Sequence, residues 1–195
     1  VPGGFGERGL EGMIAAANYA RKEQVPYLGL CLGMQIMVVE YARNELGIAD
    51  ATSLEIDPNA ANPVIAFMEG QEELSATGGT MRLGVYPCVL KEGTQVHAAY
   101  ESETVDERHR HRYEFNNEYR IPLEEAGLIA SGTSPDGSLV EVTEVYGHPF
   151  MVGSQFHPEF GSRPERPHPL FREFIRVARN TLREGSQHDL FEEEE

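Results

Sequence analysis

One thiol and one imidazole in this sequence stand where chemistry would need them. Residues 27–35 read YLGLCLGMQ, an apolar run in which Cys31 is framed by Gly29 and Gly33. A glycine–x–nucleophile–x–glycine run between a strand and a helix is the pattern of a nucleophile elbow. This tight, strained turn lifts its central side chain above the sheet. Glycines at both flanks let strand and helix approach without Cβ clashes. A helix N-terminus behind the turn favours negative charge, which should lower the thiol pKa. The N–H of Leu32, directly after the nucleophile, is placed to donate to an oxyanion. Without such a frame a lone cysteine is an inert core residue, and Cys88, in a plain strand, gets that ordinary reading.

A thiolate needs a base. His157 and Glu159 lie two apart in SQFHPEF, at the end of the apolar run MVGSQF. In an extended segment residues i and i+2 project to one side, so the Glu159 carboxylate can orient the imidazole. Pro158 between them stiffens the pair. The plainer alternative, a turn with a surface histidine, weakens once the elbow is considered with it. His97, His109, His111, His148, His168 and His188 lack such a partner at the end of an apolar strand. A second oxyanion donor should come from a loop near the elbow. Pro2-Gly3-Gly4-Phe5-Gly6 offers small residues and exposed amides, although a glycine run alone is only a tight turn.

These groups need a scaffold. Leu10, Met13, Ile14, Ala17 and Ala20 fall at helical spacing, which predicts an amphipathic helix over 8–22. Residues 26–30 read as a short buried strand of a parallel sheet, and 34–46 as a helix stopped by Gly47. Helix, strand, helix is the grammar of an α/β fold. Residues 51–63 are rich in turn formers, and GQEELSATGGTMRLG implies a constrained loop. Strands are expected at 85–90, 128–131, 139–145 and 150–155, the last two close enough to pair, with a closing helix at 169–181.

The 195 residues, 40% hydrophobic, suit one domain over 1–183 with a substantial core. Two cysteines make no disulfide framework, and a reducing cytoplasm is the simpler setting. No apolar stretch approaches the roughly 20 residues of a membrane span, and no signal peptide is visible. The text starts abruptly at Val1, as a piece of a longer chain would. A formal charge of −16 argues against nucleic-acid and acidic-membrane partners. Glu192 to Glu195 predict a disordered, solvated tail over 184–195. Against this background ERHRHRYEFNN is a basic exception.

Cys31, His157-Pro158-Glu159 and the PGG loop together resemble the class I glutamine amidotransferases, the Cys-His-Glu glutaminases. Within that group VPGGFG, LGLCLGMQ, GGTMRLG, ERHRHRYEFNN and QFHPEF are similar to the C-terminal glutaminase domain of the CTP synthase family. The resemblance implies an α/β class I glutaminase fold: an open, mostly parallel sheet flanked by helices, its first strands and helices missing here. It makes Cys31 the nucleophile, His157 the base and Glu159 its orienter, with Gly4 and Leu32 supplying oxyanion-hole amides. Gln35 contacts the substrate L-glutamine, with Gly33, Met34 and Tyr113 beside it. Glu55 receives the α-ammonium and Arg112 the α-carboxylate, opposite charges for the two ends of a zwitterion.

The resemblance also implies a synthetase domain on the same polypeptide, carrying ATP, UTP and Mg²⁺, and a homo-oligomer, a tetramer in the family. No cofactor or metal is implied for this chain. GTP is the implied activator, with Arg8 and Arg82 as candidate contacts; their ordinary alternatives are an i,i+3 ion pair with Glu11 and a solvated loop charge. Another glutaminase or γ-glutamyl hydrolase would lack ERHRHRYE and GGTMRLG. A non-catalytic relic module would not need an intact Cys31, His157 and Glu159.

Overall fold

The computed structural model describes residues 1–6, 8–67 and 81–181. The expected tail at 184–195 and the first part of the glycine-ended loop, 70–80, lie outside the described residues.

Helix α1 (Leu10–Lys22) buries Leu10, Ile14, Ala17 and Ala20, the stripe its periodicity predicts. It starts two residues later than expected because Gly9 stands before it at φ 75, outside the helical region. Strand β1 (Tyr27–Leu30) leads through Cys31 into helix α2 (Leu32–Asn44). Every residue from Leu32 to Ala42 is buried, as befits a helix enclosed on all sides. Its one buried charge, Glu40, is held by Arg21 at 2.9 Å and by the Asn18 amide at 2.8 Å, which makes that burial tolerable.

Two short strands follow, β2 (Thr52–Ser53) and β3 (Pro63–Ala66). After them come β4 (Arg82–Leu90), α3 (Gln95–Tyr100), β5 (Thr104–His111) and β6 (Glu114–Phe115). The chain continues through α4 (Arg120–Glu125), β7 (Leu128–Thr133), β8 (Val140–Val145), β9 (Met151–Ser154) and α5 (Pro169–Thr181). The main sheet runs β1-β9-β8-β7-β4-β5, and a small one runs β2-β3-β6. One apolar cluster joins α1 and α2 to the sheet through Leu128, Ala130 and Met151. The other joins α3 and α5 to its opposite face through Val142, Val152 and Leu90. The site residues therefore hang on an α/β/α sandwich.

The expectation of a mostly parallel sheet is corrected in detail. β1 pairs with β9 in parallel, but β9–β8, β8–β7, β7–β4 and β4–β5 are antiparallel. The links from β7 to β8 and from β8 to β9 are turns containing Gly137 and Gly147, each at φ 75. Such links are too short for the crossover a parallel pair requires. Strand β5 was not anticipated. Its inward face is Glu107, His109 and His111, so its alternation carries no apolar signal. Among the described residues no helix is long and apolar enough to cross a membrane.

Candidate active site

The elbow is built as its glycines suggest. Cys31 sits at φ 51, ψ −102, a conformation non-glycine residues rarely hold, directly before the first turn of α2. A Cβ on Gly29 would lie 2.4 Å from the Gly33 carbonyl oxygen, and one on Gly33 would lie 2.3 Å from that of Val1. On the neighbouring strand a Cβ on Gly153 would meet Met34 at 2.9 Å. Bare backbone at these positions lets α2 start against β1 and β9.

The His157 imidazole donates from Nδ1 to Glu159 Oε1 at 2.6 Å. An ionised carboxylate only accepts, so Nδ1 carries the proton and Nε2 presents a lone pair. That Nε2 is buried and has no hydrogen-bond partner among the described residues. Gly3 lies between the two reactive groups: a Cβ there would sit 2.9 Å from His157 Cε1 and 3.6 Å from Cys31 Cβ. The pair is not made in an extended segment. Pro158–Phe160 is a single 3-10 turn with His157 as its cap, and that turn folds Glu159 back onto the ring. The peptide N–H of His157 donates to the Arg108 carbonyl at 2.8 Å, tying this residue to β5.

The thiol differs from expectation. Burial pushes Cys31 up to about 12; the Leu32 N–H pulls the other way, and Glu55, Glu159 and Glu114 add to the rise. The helix start does favour the anion, but in this closed site desolvation outweighs it. Cys31 therefore rests as a thiol and needs a base to remove its proton. Cys88 is fully buried, a Cβ on Gly132 would meet its sulfur at 2.9 Å, and burial raises it too, as an inert core thiol.

Beside Cys31 opens a cleft of about 440 Å³. Of the expected residues Gly4, Gln35, Glu55, Arg112 and Tyr113 line it, together with Phe5, Met81, Arg110 and His111, which the sequence reading did not select. Glu55 also accepts from the Gly6 N–H at 3.1 Å, anchoring the PGG loop across the cleft. Gly4 lies against Leu32: a Cβ there would be 3.1 Å from the leucine side chain, so the two expected amide donors are neighbours. A carboxylate and an exposed guanidinium in one cleft suit a small zwitterion.

Three expected residues lie elsewhere. Gly33 is closed off by Val1 and bonded through its carbonyl to the Tyr27 hydroxyl at 2.8 Å; Met34 is wholly buried against Gly153. Neither lines the cleft, and both support the elbow. Arg82 is no loop charge: it opens β4, pairs with buried Glu141, lies 3.9 Å from Glu114 and covers the Tyr86 ring at 4.4 Å. Its guanidinium is committed to the interior. Arg8 is exposed, while Glu11, its expected partner, pairs with Arg43 at 3.0 Å. Away from the elbow, other histidines meet carboxylates brought from elsewhere in the chain: His168 Nε2 lies 2.8 Å from Glu107, 61 residues away, and His109 Nδ1 lies 3.6 Å from Glu141.

The chain as a whole is similar to known proteins. The glutamine amidotransferase class-I family model matches residues 1–177. The chain is 59% identical over 190 residues to a CTP synthase of Dehalococcoides mccartyi, covering 97% of this chain and 35% of that protein. It is 61% identical over 191 residues to a CTP synthase of Roseiflexus castenholzii, covering 97% and 34%. The chain thus spans about a third of the length of these relatives. A solved structure of the CTP synthase glutaminase domain of Trypanosoma brucei, with bound acivicin, superposes with a TM-score of 0.88 at 39% identity. It covers 92% of this chain and 70% of that one. On these matches the chain belongs to the class I glutamine amidotransferases, in the branch of the CTP synthase glutaminase domains.

Proposed function

We propose that this chain hydrolyses L-glutamine through a Cys31 thioester, as the ammonia-producing part of a longer CTP synthase polypeptide. The observation that carries the reading is the buried Nε2 of His157, without a partner among the described residues, oriented by Glu159 and set across Gly3 from a thiol held in a strained elbow. Glutamine enters with its α-ammonium toward Glu55 and its α-carboxylate toward Arg112, beside Gln35 and Tyr113. His157 Nε2 takes the thiol proton while Sγ attacks the side-chain amide carbon. The C–S bond forms, and the carbonyl electrons move to an oxyanion held by the N–H groups of Gly4 and Leu32. The imidazolium returns the proton to the amide nitrogen, the C–N bond breaks and ammonia leaves. A water, deprotonated by His157, attacks the thioester. Glutamate is released, and Cys31 recovers its proton.

In the rest of the polypeptide this ammonia aminates UTP activated by ATP, with Mg²⁺ bound there, and yields CTP. Among the described residues no cluster of three or more metal-ligating side chains occurs, and no step here needs one. GTP acts as an activator, and exposed Arg8 beside the PGG loop is its candidate contact. The protein works in the cytoplasm as a homo-oligomer. The test is Cys31→Ala in the full-length polypeptide: glutamine-dependent CTP formation is abolished and ammonia-dependent formation is retained. Equal loss of both would make Cys31 structural and overturn the reading.

A further inference from the structure

The sulfur of Cys31 touches a side chain the mechanism does not use. Gln155 follows β9, is wholly buried, and has its backbone fixed by a 2.8 Å N–H bond to the Glu141 carbonyl. Its Nε2 lies 3.7 Å from Cys31 Sγ, and its Oε1 lies 3.3 Å from Gln35 Nε2. Gln35 Nε2 also reaches the Tyr113 carbonyl at 3.2 Å. One atom settles every orientation in this line. A peptide carbonyl can only accept, so the Gln35 group facing Tyr113 is its NH₂. That NH₂ then needs an acceptor on Gln155, so Oε1 faces it, and the Gln155 NH₂ is left to face the sulfur. The same carbonyl receives His111 Nδ1 at 3.2 Å, and His111 Nε2 meets His109 Nδ1 at 2.9 Å, which braces the anchor from β5.

We propose that Gln155 is a positioning residue that donates to the Cys31 sulfur, favouring its anionic form, and locks Gln35 so that its carbonyl oxygen faces the cleft. Gln35 then meets glutamine as an acceptor, suited to an N–H or ammonium group of the substrate. Among the described residues the S–H, with its lone pair engaged by Gln155, has only the Arg110 carbonyl at 4.0 Å before substrate arrives, a contact weak enough to give way to His157. This inference rests on the glutaminase reading for its purpose, but the thiol contact can be tested without glutamine.

The experiment is alkylation of Cys31 by iodoacetamide in the full-length protein at neutral pH, read by peptide mass spectrometry, in wild type and Gln155→Met. Loss of the donor makes the thiolate scarcer, so alkylation slows by about 10-fold, the lower end for a hydrogen bond to a charged group. The KM for glutamine rises as well, because Gln35 is free to turn. A merely structural role moves the rate the other way: a loosened, wetter site lowers the thiol pKa and speeds alkylation. Unchanged or faster alkylation overturns the proposal. If Gln155→Met does not fold, Gln155→Asn, which withdraws the donor by one methylene, gives the same slowing, and wild-type rates there overturn it equally. Loss of glutaminase activity in wild type would instead count against the functional reading and leave this contact standing.

Discussion

Gly29→Ala carries the heaviest consequence for its size. The new Cβ would lie 2.4 Å from the Gly33 oxygen, 2.5 Å from its carbon and 2.8 Å from the Met34 nitrogen, all backbone of the elbow. None of these can swing aside like a side chain, so β1 and α2 must separate by about 1 Å to reach ordinary contact. Overpacking of this kind costs about 1–3 kcal/mol. The stiffer unfolded chain of alanine returns about 0.4–1 kcal/mol of that. A net loss of about 1–2 kcal/mol means roughly 5–30-fold faster hydrogen exchange in peptides covering α2. The same movement carries the Leu32 N–H and Cys31 off their positions, and about 1 Å there is worth up to roughly 100-fold in kcat/KM for glutamine. Gly12→Ala is the control: nothing lies within 4 Å of its Cβ on the exposed side of α1. It should slow exchange slightly and leave catalysis alone. Wild-type exchange and wild-type kcat/KM in Gly29→Ala would refute the reasoning that bare backbone at the elbow sets the site.

If Arg112, which lines the cleft, holds the substrate carboxylate, then in Arg112→Ala kcat/KM for glutamine falls by about 10- to 100-fold while ammonia-dependent synthesis is spared; steady-state kinetics decide. If GTP activates the full-length protein through Arg8, Arg8→Ala weakens that activation of the glutamine-dependent reaction, and an unchanged GTP midpoint and amplitude would remove Arg8 from that role. Burial, with Arg82 adding to it, holds His109 at about 2 and His111 at about 3. Below pH 6.5 the unfolded chain therefore binds protons that the folded one refuses, and stability falls as pH drops toward 3. Burial, reinforced by Glu141, raises Glu114 to about 8. Between 4.5 and 8 the folded chain keeps a proton the unfolded one has lost, so stability falls as pH rises, and Glu114→Gln should flatten that fall in thermal melts between about pH 6 and 8.

What the sequence revealed was local. The elbow is a five-residue pattern, and the closing helix spans Pro169–Thr181 as its periodicity indicates. The His–Glu pair was legible through its spacing of two, although the 3-10 turn that makes it was not. What stayed hidden depends on groups far apart in the chain. Gln155 meets Cys31 across 124 residues, and a glutamine within an apolar strand end gives no sign of what it faces. β5 was obscured because its buried face is polar: the basic run ERHRHR splits into exposed arginines and buried histidines that share the interior with Arg82 and Glu141. The thiol pKa shows the same limit. A helix start can be read from sequence, but the depth of burial that overrides it cannot.

Whether Cys31 is the nucleophile of a glutamine site is decided by labelling the full-length protein with a glutamine analogue bearing an electrophilic carbon, followed by peptide mass spectrometry. One equivalent of label should sit on Cys31, prevented by excess glutamine and absent in Cys31→Ala, with Cys88 untouched. Label that settles on Cys88, or that reaches Cys31 at the same rate with the cleft saturated by glutamine, would contradict it.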